Sequence, residues 1–95
     1  MTQIETALMD AGAFVRRMEP AAGFDLLVIA PRGVHIVKII DGGRWQPTQA
    51  EAETKRQVEQ SGGAYFVVET VEEALGLVLD DLSTILSILG KEIQA

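Results

Sequence analysis

The sequence predicts a small α/β domain ordered α-β-β-β-α-β-α, and three observations carry that expectation. A T-x-x-E capping box recurs at Thr2–Glu5, Thr48–Glu51 and Thr70–Glu73, and each marks a helix start. Short apolar, β-branched runs fall between those starts, and Gly or Pro punctuates the joints. The 95 residues, 47% hydrophobic and 23% charged, match one globular domain of modest core. A core of that size makes association between chains an expected support.

The first helix runs from Met1 to Ala11, with Ile4, Leu8 and Ala11 on one face and Gly12 as its stop. Residues 13–18 (AFVRRM) form a strand, with Arg16 and Arg17 on opposite sides. Residues 19–23 form a loop. Residues 24–30 (FDLLVIA) and 34–40 (VHIVKII) form two strands joined by a Pro31-Arg32-Gly33 turn. Their apolarity on both faces predicts central strands of a sheet covered on both sides.

After a turn-rich loop at 41–44, a polar helix opens at Pro47-Thr48 and runs to Gln60, before Gly62-Gly63. Residues 64–69 (AYFVVE) form the fourth strand. A last helical pattern starts at Thr70 and continues towards Ile93. Val71, Leu75, Val78, Leu82, Ile85 and Leu89 follow heptad spacing along it. A continuous helix of that extent measures about 36 Å, longer than a four-stranded sheet needs, so part of it is expected to meet a second copy. Residues 1–79 are read as the core and 80–95 as a helical extension of the same domain.

Several classes are excluded or disfavoured. With no cysteine there is no disulfide framework and no thiolate metal site. No apolar run approaches the roughly 20 residues that span a bilayer. Residues 2–10 lack the basic start of a signal peptide, and a cytoplasmic location is expected. The net charge of −6 argues against a nucleic-acid partner, but it is unevenly spread. Residues 1–60 hold seven Lys/Arg against eight Asp/Glu, whereas residues 61–95 hold one lysine against six acids.

Chemistry concentrates in residues 23–49. Lys38 lies in the middle of an apolar strand, where an ammonium is costly to bury without a partner. The simplest partner is Asp25, at the start of the neighbouring strand. Asp25 also reads as an ordinary turn acid beside Gly23. Ile36 shares the face of Lys38. Asp41 and Glu69, at strand ends, are the other acids within reach of this region. His35, the one histidine, is on the opposite face and reads as a partly buried structural residue. Arg16, Arg17, Arg32 and Arg44 (the last beside Trp45) are candidate phosphate or base contacts, or plain solvated charge.

The ordered joints resemble the VRR-NUC branch of the PD-(D/E)xK restriction-endonuclease-like superfamily, a fold shared with Holliday-junction resolvases. The matching residues are Glu5, Gly23-Phe24-Asp25-Leu26-Leu27-Val28, Ile36-Val37-Lys38, Gly42-Gly43, Gln49 and Gly63-Ala64-Tyr65-Phe66-Val67-Val68, spanning residues 2–79. The resemblance implies an α-β-β-β-α-β core, with the C-terminal helix packed on a central mixed sheet. It also implies Mg²⁺- or Mn²⁺-dependent cleavage of DNA phosphodiesters, including branched or flapped DNA. Asp25 and Glu5 would then hold the metal, Lys38 would stabilise charge or orient water, and Gln49 would assist. Arg16, Arg17 and Arg44 would touch substrate.

Two positions depart from the pattern. Phe24 stands for a proline without a chemical role. Ile36 stands for the acid of E-x-K and offers no oxygen to a hard cation, so hydrolysis is expected to be weak or lost. The alternative is a non-catalytic homodimeric interaction or regulatory module that keeps the fold. A DNA-binding domain without chemistry is the third reading, and the charge disfavours it most.

Overall fold

The computed structural model describes residues 2–79. Helix α1 (Thr2–Asp10) turns Ile4, Ala7 and Leu8 inward, and all three are buried. It ends at Gly12 (φ 90°), where Gly12 N–H donates to Met9 O and Ala13 N–H to Leu8 O. The side chain of Thr2, expected to share a capping box with Glu5, lies outside the described part.

Four strands follow: β1 (Phe14–Arg17), β2 (Leu26–Ala30), β3 (Gly33–Ile39) and β4 (Tyr65–Val68). They lie side by side in sequence order. The first two pairings are antiparallel, and β3–β4 is parallel. A parallel pair needs a crossover, and α2 (Gln49–Gln60) supplies it. The expected mixed sheet is therefore present, and α3 (Val71–Val78) completes the order.

Side chains alternate across the sheet. One face presents Leu26, Val28, Val37 and Val68 to Ile4 and Leu8 of α1 and to Ala74 and Val78 of α3, and this is the core. The other face carries Leu27, Ile29, Val34, Ile36, Lys38 and Tyr65. Helix α2 packs there, on the β4 side and against a 3₁₀ turn at Pro20–Ala22.

Two expectations need correction. The central strands are not covered on both faces by the described helices. Ile29 is 42% exposed and Val34 63%, and in register with them Phe14 is 51% exposed. The apolar composition of β2 and β3 is shared with that open corner, because α2 packs on the β4 side of the sheet. The last helix does not run on unbroken from Thr70 either. Leu79 is extended (φ −124°, ψ 137°), which lets its side chain pack on the core. Arg32, from the β2–β3 turn, donates to the Gly76 carbonyl at 3.2 Å and occupies an acceptor of the last turn. The extension at 80–95, with Leu82, Ile85 and Leu89 of the heptad pattern, lies outside the described residues.

Gly23 fixes the loop entering β2. Its φ is 80°, and a Cβ there would sit 2.2 Å from Thr54 Oγ1 and 2.4 Å from the Ala50 carbonyl oxygen. Thr54 Oγ1 donates to Ala22 O at 3.0 Å, and Tyr65 Oη donates to Gly23 O at 2.6 Å. Helix α2 and strand β4 thus clamp the segment that delivers Asp25. Gly23→Ala is expected to lower the urea midpoint by an amount equivalent to about 2–4 kcal/mol, combining backbone strain with overpacking. Gly12→Ala, left-handed but in open space, should cost about 1 kcal/mol of strain alone. Equal midpoints for the two variants would refute the clamp.

Candidate functional site

Asp25 enters the sheet just before β2. Its N–H donates to Val37 O, and its carbonyl accepts from Met18 N–H, so its backbone is held between β1 and β3. The carboxylate is fixed as well, since Oδ2 accepts from Ile39 N–H at 2.7 Å. The same oxygen lies 3.2 Å from Lys38 Nζ. The pairing expected from the cost of burying a strand lysine is present.

Lys38 has a second partner. Its Nζ lies 2.8 Å from Glu51 Oε2, in the first turn of α2. All three side chains are at most 20% exposed. Glu51 is the third residue after the Thr48 cap, and the capping box is closed on both sides. Its other oxygen, Oε1, accepts from Thr48 N–H at 2.9 Å and from Trp45 Nε1 at 3.2 Å. Trp45 stacks on Tyr65, with ring centroids 5.8 Å apart and planes 14° from parallel. Tyr65 in turn holds Gly23, two residues before Asp25. The contacts therefore close a ring through β2, β3, α2 and β4.

Burial pushes the Lys38 pKa down, but the carboxylates of Glu51 and Asp25 more than offset this and hold it above the ordinary lysine value. Burial likewise pushes Glu51 up, while Lys38, the Thr48 amide and Trp45 bring it below the ordinary glutamate value. Tyr65 is pushed up to about 12, first by burial and then by the negative charge of Glu51 and Asp25. Two carboxylates and one ammonium leave the cluster one negative charge in excess.

The cluster opens into a cleft of about 330 Å³, with Asp25, Lys38, Thr48 and Glu51 at its polar side and Arg17 and Phe24 also lining it. A hard divalent cation is bound through one or two carboxylates, with water and substrate phosphate completing its shell. Asp25 and Glu51 meet that minimum, so the donor chemistry fits Mg²⁺ or Mn²⁺. Among the described residues no group of three His, Cys, Asp or Glu side chains converges, so the protein's share of such a shell is small.

The other anticipated residues are placed as follows. Glu5 is engaged by Arg17, with Oε1 2.7 Å from Nη2 and Oε2 3.3 Å from Nε. Arg17 lines the cleft, so Glu5 reaches the site through that guanidinium. Arg16, on the other face of β1, lies over the Phe14 ring at 5.8 Å. Arg44 is exposed in the loop before α2. Gln49 is the first residue of α2, exposed and not among the cleft-lining side chains. Ile36 shares the face of Lys38 and pairs in register with Leu27 and Tyr65. Asp41 and Glu69 line a different cleft, with Ile39 and Ile40. His35 is half-buried edge-on to Phe66, and burial, with Arg32 nearby, lowers its pKa.

Glu51 is the site residue that sequence reasoning missed. Its capping role accounts for a glutamate at that position, and nothing in the spacing shows that its second oxygen returns to β3.

The architecture is thus a mixed four-stranded sheet with a crossover helix, and an acid just before β2 meets a lysine of β3 beside it. A solved structure described as a VRR_NUC domain superposes on the chain with a TM-score of 0.64. It is 24% identical and covers 80% of this chain and 86% of its own, which establishes the shared fold. No family model matches the sequence, and no curated protein matches it. Among the described residues, no helix is long and apolar enough to cross a membrane.

The pKa shifts predict how stability depends on pH. Lys38 and Tyr65 are both raised above 10.5 and 10.0, so their contribution is complete below about pH 10 and is lost as pH climbs through the folded values. Glu51 is depressed below 4.5, so its contribution is present above that pH and is lost as pH falls through the folded value. Urea midpoints should therefore fall on both flanks. Phenolate absorbance of the single tyrosine should titrate near pH 12 in the folded protein and near 10 in urea. A folded-state titration near 10 would contradict the burial of Tyr65.

Proposed function

We propose that the domain is a nuclease-like protein of the PD-(D/E)xK type, related to metal-dependent hydrolysis of DNA phosphodiesters, with weak catalysis. The observation that carries this reading is the Asp25–Lys38 pair, 3.2 Å apart in an open cleft of the matching fold. A bound Mg²⁺ or Mn²⁺ would activate water and offset phosphate charge. The chain's own residues prepare that chemistry. Asp25 presents a carboxylate already aimed by the Ile39 amide. Lys38 holds a positive charge at the cleft that a phosphate oxygen can share. Arg17, steadied by Glu5, extends positive charge along the lining. Weakness follows from the protein's small oxygen share and from the apolar Ile36 beside Lys38.

The second reading is a non-catalytic module that associates with a second copy. The exposed, in-register row of Phe14, Ile29 and Val34 favours it, because contiguous apolar surface marks interaction sites.

The readings separate in two assays. Branched and flapped DNA incubated with the protein in Mn²⁺ should be cut slowly, and Asp25→Ala should abolish the cutting. No cleavage by the unaltered protein removes the hydrolytic reading. In sedimentation, a dimer that Val34→Asp dissociates would support the module, and a monomer at all concentrations would eliminate it.

A further inference from the structure

The divided use of the two Glu51 oxygens has a chemical meaning. Oε1 is committed to the fold, through the Thr48 amide and the Trp45 indole. Oε2 pairs, among the described residues, with the Lys38 ammonium at 2.8 Å. Lys38 in turn lies 3.2 Å from Asp25 Oδ2, so the two carboxylates face each other across one mobile-ended cation. A lysine tip ends four rotatable bonds and can move to a phosphate; the aspartate held on the Ile39 amide and the glutamate held on the Thr48 amide cannot move without breaking those contacts. The arrangement therefore has two fixed anionic oxygens and one displaceable positive charge between them.

We propose that Glu51 supplies, from the first turn of α2, the second metal carboxylate that Ile36 cannot supply from β3. This rests on the hydrolytic reading and names its missing ligand. The cation would be held between Asp25 and Glu51 Oε2, with Oε1 left as the helix cap. Lys38 is then the group released towards the substrate phosphate. The carboxylate is aimed in advance by Thr48 and Trp45, which is the outer-shell support that fixes a metal ligand's orientation. Glu5 is instead a positioning residue for Arg17.

Trp45, the single tryptophan, donates to the proposed ligand and so reports on it. Mn²⁺ titrated into the full chain should quench Trp45 fluorescence and give a matching calorimetric isotherm. Glu51→Gln keeps a side-chain acceptor for the capping box but loses the anionic oxygen. It should weaken Mn²⁺ binding at least about 10-fold, the lower end of what even an outer-shell substitution costs. Its urea midpoint at neutral pH checks that the fold persists. Asp25→Asn should weaken binding similarly, whereas Glu5→Gln should leave it within about 2-fold, less than an outer-shell change costs. Binding that is lost in Asp25→Asn yet unchanged in Glu51→Gln overturns this assignment and leaves the hydrolytic reading standing. No binding by the unaltered protein at millimolar Mn²⁺ overturns both. If Glu51→Gln fails to fold, Glu51→Asp, which keeps the charge on a shorter stem, takes its place. Unchanged Mn²⁺ affinity in that variant overturns the assignment, and at least about 10-fold weaker binding supports it.

Discussion

The ammonium of Lys38 is the constraint on which the rest of the site depends. A lysine in the middle of an apolar strand, 17% exposed, must be neutralised where it lies. The chain does so twice, with Asp25 from the segment before β2 and Glu51 from α2. Because those acids come from different parts of the chain, the charge also sets their relative position. Without the ammonium, two poorly exposed carboxylates would face each other, which raises the free energy of the ionised state. The surrounding contacts keep that balance in register. Tyr65 fixes Gly23 ahead of Asp25, and the Thr48 cap and Trp45 fix Glu51.

Asp25 and Lys38 were legible because strand alternation and the cost of a buried charge are local properties of two adjacent apolar runs. The helix starts at Thr48 and Thr70 were legible for the same reason, since the capping box contains its own geometry, and both boxes form. Glu51 was not legible as a site residue. Residues 40–48 are irregular, and only the folded path of that loop determines which way the first turn of α2 faces. The same principle accounts for the helix end. The extended Leu79 and the Arg32–Gly76 contact are tertiary, and a heptad pattern carries no record of them. The open corner at Ile29 and Val34 is not legible either, because apolar strands look alike whether a helix or a second chain covers them.

Stability and chemistry are coupled in this site more tightly than in one built only from strand acids. Glu51 caps a helix, anchors an indole and balances a lysine with one carboxylate. A substitution that removes the whole side chain confounds those roles, whereas glutamine separates the capping acceptor from the charge. Asp25 is similarly divided, with its backbone in the sheet and Oδ2 on the Ile39 amide. With side chains at most 20% exposed, desolvation offsets much of the attraction, so the larger effect of the ion pairs is to define geometry.

The charge distribution constrains how DNA would be engaged. Two of the three candidate substrate arginines already have partners, Arg17 in Glu5 and Arg16 in the Phe14 ring. With a net charge of −6, long-range attraction to a polyanion is absent. Few phosphates are then neutralised on binding, so affinity should depend shallowly on salt, in contrast to proteins that grip DNA through basic stripes. On the proposed reading, recognition would be generated at the cleft itself, by a cation that Asp25 and Glu51 would hold and by Lys38 turned towards the phosphate. The excess negative charge of the Asp25–Lys38–Glu51 cluster, unfavourable for a bare phosphate, becomes favourable once a divalent ion is present. On that reading, an acidic domain would meet an acidic substrate through a bound divalent ion.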